Sequence, residues 1–115
     1  MLLSYLRYLV KRKNAFQIHS PFVYSLYTKV IRGGDTEALS TLGITCTEQV
    51  TEGSLPKGDN AVMYVVEEIH KDEKKEALWH TICASADVTL TIDLFSKGLF
   101  FYREGMEKQH FVLRS

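Results

Sequence analysis

Ala61-Val62-Met63-Tyr64-Val65-Val66 is apolar at every position, with Asn60 before it and Glu67-Glu68 after it. A short apolar run, rich in β-branched residues and closed by polar ones, predicts a strand covered on both faces. Such a strand belongs inside a sheet that carries helices. The residues that follow supply one. Asp72 opens a helix over residues 72–86, with Asp72, Glu73 and Glu76 near its positive end. Leu78, Trp79, Ile82, Cys83 and Ala86 form its apolar face. Next, Val88, Leu90, Ile92 and Leu94 alternate with Thr89, Thr91 and Asp93, which predicts a half-exposed strand over 88–94. Ser96-Lys97-Gly98 reads as a turn, residues 99–103 as another apolar strand, and residues 111–113 as a last short one. Two strands joined through a helix run parallel in one sheet, by a right-handed crossover.

Upstream, Leu2, Tyr5, Leu6, Leu9 and Val10 recur at helical spacing, with Ser4, Arg7 and Lys11 opposite. Ser20 reads as an N-cap and Pro21 as the first residue of a second helix, where its missing N–H costs nothing. Phe22, Val23, Leu26, Tyr27 and Val30 give that helix its apolar face, and Gly33-Gly34 ends it. Asp35 caps a short helix that runs to Leu42 and stops at Gly43. Ile44, Cys46 and Val50 alternate weakly with Thr45 and Thr47, and residues 52–60 hold Gly53, Pro56 and Gly58 as a loop. The chain reads as one α/β domain of two or three layers: helical over 1–32, a short helix, weak strand and loop over 33–59, and β-α-β-β over 60–115.

A chain of 115 residues buries roughly 65% of its unfolded surface, enough for a modest core. Basic and acidic residues number 14 each, so net charge gives no reason to expect a nucleic-acid partner. No apolar run reaches the ~18 residues of a membrane span. The basic residues Lys11, Arg12 and Lys13 follow the first apolar stretch, the reverse of a signal peptide. Cys46 and Cys83 have no metal-type spacing, and two thiols make no disulfide framework. Free thiols fit a reducing cytoplasm.

Two blocks carry a resemblance. The first runs Tyr5-Leu6-Arg7-Tyr8-Leu9-Val10-Lys11, then Ile18-His19-Ser20-Pro21-Phe22-Val23-Tyr24 and Leu26-Tyr27-Thr28-Lys29-Val30. The second includes Glu67-Glu68-Ile69-His70, Val88-Thr89-Leu90-Thr91-Ile92-Asp93-Leu94-Phe95, Gly98-Leu99-Phe100-Phe101-Tyr102-Arg103 and His110-Phe111-Val112-Leu113-Arg114. Together they resemble the start and finish of a bacterial family of class I S-adenosylmethionine-dependent methyltransferase-like proteins. The resemblance implies that residues 61–66, 99–103 and 88–94 are the fifth, seventh and sixth strands of that fold, in that spatial order, the seventh antiparallel to both. It also implies that 88–94 is the sheet edge, in a mixed sheet of three or four strands. A full member carries a glycine-rich strand-to-helix turn and a ribose-binding carboxylate. Here Gly33-Gly34 follows a helix, and the cofactor-binding middle is missing. Strand 61–66 then lacks its neighbour, a place that Ile44 to Val50 or a second copy of the chain would fill.

By the same resemblance, Glu67 and Glu68 stand where catechol-type methyltransferases bind a divalent metal, with His70 and Asp72 near enough to contribute. The further aspartate would lie on the missing strand, and the plainer reading is a solvated strand end. His19, His80 and His110 read as local packing or hydrogen-bonding residues without a second catalytic group in reach. Cys83, on a buried helix face, and Cys46 read as inert thiols. Arg7, Lys11, Arg12 and Lys13 read as a solvated helix face, or as a contact for an anionic surface. Tyr5, Tyr8, Phe16, Phe22, Tyr24 and Tyr27 read as core or interface.

The expected function is a truncated, methyltransferase-like binding domain without a cofactor or catalytic activity of its own. It is expected to be a cytoplasmic homodimer, because both N-terminal apolar faces and the sheet edge need cover. One alternative is a methyltransferase that binds S-adenosylmethionine and completes its site across an oligomer. Another is a peripheral binder using the basic first helix.

Overall fold

The computed structural model describes residues 20–51, 55–56 and 58–113. The predicted first helix with Leu2, Tyr5, Leu6, Leu9 and Val10 lies outside the described residues, as do Arg7, Lys11, Arg12, Lys13, Tyr8, Phe16, His19, Gly53 and Arg114.

Ser20 caps helix α1 (Pro21–Ser25), its Oγ accepting from the Val23 amide at 3.3 Å, with Pro21 in the first turn. The helix continues as a π-helix over Leu26–Ile31. The Thr28 hydroxyl donates to the Tyr24 carbonyl at 2.8 Å. It takes a share of the acceptor that an α-turn would leave to the Thr28 amide, and side chains that do this loosen the helical ladder. Gly34, at φ 70°, turns the chain away. The next helix is shorter than the sequence predicts: α2 covers only Ala38–Thr41, with Asp35 accepting from the Glu37 amide ahead of it. Gly43, at φ 82°, ends it.

The sheet has five strands rather than three or four. They are β1 (Cys46–Gln49), β2 (Val62–Glu67), β3 (Leu90–Asp93), β4 (Lys97–Phe101) and β5 (Gln109–Val112), in the order β1-β2-β4-β3-β5. Strand β4 runs antiparallel to both β2 and β3. Strand β1 pairs in parallel with β2, and β5 in parallel with β3. The place beside β2 is therefore filled by this chain's own residues 46–49.

The predicted edge strand is interior. All four residues of β3 are buried, and β5 covers its outer side. The alternation of Leu90 and Ile92 with Thr91 and Asp93 separates an apolar face from a hydrogen-bonded polar face, not a core from water. Buried polar side chains are tolerated where they are paired. Thr91 lies 2.6 Å from His110 Nδ1, and Asp93 holds His70 and the Phe95 amide.

Each face of the sheet carries a helical layer. Val62, Tyr64 and Val66 pack with Ile69, Trp79, Ile82, Val88 and Phe100. Trp79 and Ile82 come from helix α3 (Glu73–Ala84), which Asp72 caps by accepting from the Lys75 amide at 2.9 Å. The helix ends two residues before the predicted stop, leaving Ala86 exposed in the following turn. On the other face, Met63, Val65, Leu90, Ile92, Leu99 and Phe101 pack with Val23, Leu26 and Tyr27. The apolar face of the second predicted helix is thus covered by the sheet of the same chain. Among the described residues, no helix is long and apolar enough to cross a membrane.

The predicted Ser96-Lys97-Gly98 turn also moves. Lys97 and Gly98 already belong to β4, and the reversal occurs around Phe95, at φ 63°. A Cβ on Gly98 would run into the Trp79 ring, so this glycine serves packing between strand and helix.

Candidate site at the carboxyl ends of the parallel strands

Strands β1, β2, β3 and β5 share one direction, so their carboxyl ends lie at one end of the sheet. Ligands of open α/β sheets bind at that end. Here it is built by the β2–α3 loop, residues 68–72, and the β3–β4 turn, residues 94–96.

Glu68 has φ 53°, which lets Ile69 drop into the core as a fully buried side chain. His70 follows, with only 12% of its side chain exposed. Its Nε2 lies 2.7 Å from Asp93 Oδ2 and its Nδ1 2.9 Å from Glu76 Oε2. The ring stacks on Phe95 at 5.2 Å, with an interplanar angle of 18°. Asp93 is itself oriented, because its Oδ1 accepts from the Phe95 amide at 2.8 Å.

Both partners of the imidazole are carboxylates, and ionised carboxylates only accept hydrogen bonds. A neutral ring has one N–H and would satisfy one of them. The imidazolium satisfies both. The hydrogen bond to Asp93 raises the His70 pKa above its ordinary 6.5, burial works against it, and Glu76 adds to the rise. His70 thus ties β3, α3 and the loop together through both ring nitrogens.

A second polar cluster lies nearby on the α3 side of β3. His110 Nδ1 is 2.6 Å from the Thr91 hydroxyl and 3.9 Å from Cys83 Sγ. Burial pushes the Cys83 thiol up to about 11, so it stays protonated at neutral pH. Cys46 is exposed on β1, at the rim of an open groove formed with Thr36, Leu39, Ser40 and Ile44.

Glu67 and Glu68 are both exposed at the end of β2. Glu68 forms an ion pair with Lys71 at 3.3 Å, and Glu67 stands opposite Lys97 in the ladder. Asp72 is engaged as the cap of α3. Among the described residues, no three His, Cys, Asp or Glu side chains are gathered as a metal-binding group. His80 is exposed on α3, away from this cluster's contacts.

Sequence reasoning placed His70 near the strand end but missed Asp93 and Glu76 as its partners. A usable signal existed. Two parallel strands bring their carboxyl ends together, so Asp93 and Glu67-Glu68-Ile69-His70 had to share one end of the sheet. Comparison with known proteins finds no matching family model, no matching curated protein and no matching solved structure.

Proposed function

We propose that this chain is a non-catalytic binding domain whose ligand approaches the carboxyl ends of β1, β2 and β3. The observation that carries this reading is the state of His70. Both of its ring nitrogens are committed to carboxylates in a nearly buried position. The Cys83 thiol, 3.9 Å from His110 Nδ1, is held in its protonated form. The imidazole of His70 is thus used to hold the loop, the helix and β3 together. We further propose a class I methyltransferase-like parent from which the cofactor-binding part is gone. An antiparallel strand between two parallel ones, joined by a helical crossover, supports that ancestry.

The homodimer rests on a narrower base than the sequence gives it. The second helix packs on its own sheet and β1 occupies the edge of β2. What remains is the apolar spacing of Leu2, Tyr5, Leu6, Leu9 and Val10. Light scattering at ~100 μM, above the micromolar affinity of a specific interface, tests it.

The functional reading is tested by thermal unfolding with S-adenosylmethionine and S-adenosylhomocysteine. A ligand that binds only the folded state, present at 100 times its Kd, stabilises by about 2.7 kcal/mol. The expected outcome is no shift with either compound. A saturable rise in Tm would replace this reading with that of a methyltransferase completing its site in an oligomer.

A further inference from the structure

We propose that the β2–α3 loop and the β3–β4 turn form a single latch over the carboxyl ends of β2 and β3, bolted by His70, and that the two segments open together. Among the described residues, Glu68 and Phe95 are the non-glycine residues with positive φ, at 53° and 63°. One sits in each segment. A left-handed backbone at such residues costs free energy and persists only where surrounding contacts hold it.

Local bonds hold each residue, the Phe95 amide on Asp93 and the Lys71 amide on the Glu68 carbonyl, and further contacts tie each to the other segment. The Glu68 amide donates to the Ser96 carbonyl at 2.7 Å, across from loop to turn. His70, two residues after Glu68, grips Asp93, whose other oxygen accepts from the Phe95 amide. The His70 ring also lies flat on the Phe95 ring. Removing His70 from Asp93 therefore frees the stack and loosens the support of Phe95 in one step. Loss of the turn removes the acceptor of the Glu68 amide. Opening of one segment thus withdraws part of the support of the other's strained residue, which couples the two. Glu76 ties the bolt to the first turn of α3, so the hinge lies at the helix start.

The test is native-state hydrogen exchange, read by NMR at low denaturant. In the wild type, the Glu68 and Phe95 amides should share one opening free energy and one denaturant slope. Both should open more readily than the Val50, Gln109 and Leu113 amides, which bond in or beside the sheet. His70→Ala should speed exchange at Glu68 and Phe95 together, by about tenfold or more, leaving the three sheet amides unchanged. Phe95→Gly is the reciprocal variant. It relieves the left-handed cost at 95 but removes the stack, and it should alter exchange at the Glu68 amide in the other segment. Acceleration confined to the mutated segment overturns the proposal. So does equal acceleration across the sheet, because the segments then have no opening of their own.

Discussion

Adding one methyl group at Gly98 tests the packing between sheet and helix. Gly98 lies within β4, opposite Val66 on one side and Asp93 on the other. Its backbone is not left-handed, so alanine meets no conformational barrier there. On chain entropy alone, Gly98→Ala should stabilise by about 0.4–1 kcal/mol. The packing reverses that sign. The new carbon would stand 2.6 Å from Cη2 and 2.8 Å from Cε3 of Trp79, and closer still to Cζ3. Comfortable carbon contacts lie at about 3.5–4.0 Å. Trp79 is 2% exposed and wedged among Tyr64, Phe100 and Ile82 in the same cluster, so it has little room to yield. Overpacking of this kind costs about 1–3 kcal/mol. The net expectation is a loss of about 0.5–2 kcal/mol. At this chain length that lowers Tm by roughly 4 °C per kcal/mol. Urea unfolding of four proteins decides it: wild type, Gly98→Ala, Trp79→Leu and the double variant. In the Trp79→Leu background the ring is gone, and Gly98→Ala should become neutral or stabilising. An equal cost in both backgrounds, or a gain in the wild type, refutes the argument.

The histidine tie predicts a pH dependence of stability. Its folded pKa is raised, so its contribution is fully present below the ordinary value of 6.5 and is lost as pH rises through the higher folded value. Urea midpoints should fall across that interval, and His70→Gln should remove this component of the slope; an unchanged slope counts against the tie. The thiols should differ in reactivity. Cys46 is exposed and Cys83 is pushed up to about 11, so a thiol reagent at pH 8 should modify one equivalent in the native state and a second only on unfolding. Two fast equivalents in the folded protein would contradict the raised pKa of the half-buried Cys83.

Much of the architecture is legible in local patterns. The run 61–66 marks a doubly covered strand because both faces are apolar, and Val62 to Val66 are all buried. Ser20-Pro21 and Asp72 mark helix starts through capping chemistry that acts over a few residues. What local patterns do not carry is the identity of the partner across a strand. Thr91 and Asp93 look like residues facing water, because polarity alone does not distinguish solvent from a buried hydrogen-bonding partner. Their partners His110 and His70 lie 19 and 23 residues away. For the same reason Gly98 looks like a turn glycine, although the ring it accommodates belongs to Trp79 on α3. The polar strand 46–49 is faint because all four of its residues are exposed, so hydrophobic periodicity has little to register.

The order of the sheet bears on when the chain can fold during synthesis. The middle strand β4 begins at Lys97, although its neighbour β2 ends at Glu67. Until residues 97–101 have left the ribosome, β2 and β3 have nothing between them, and the cross-strand contacts of Tyr64 with Phe100 cannot form. Arg103 comes later still. Its guanidinium donates to the carbonyls of Leu42 and Asn60 and lies over the Phe22 ring, pinning α1 on the sheet face opposite α3. A nascent chain stalled before residue 97 therefore holds a half-paired β2, an unpaired β3 and an α1 without its full cover. Folding of the sheet must wait until residues 97–103 have emerged, and chains stalled before them should be protease-sensitive and bound by chaperones.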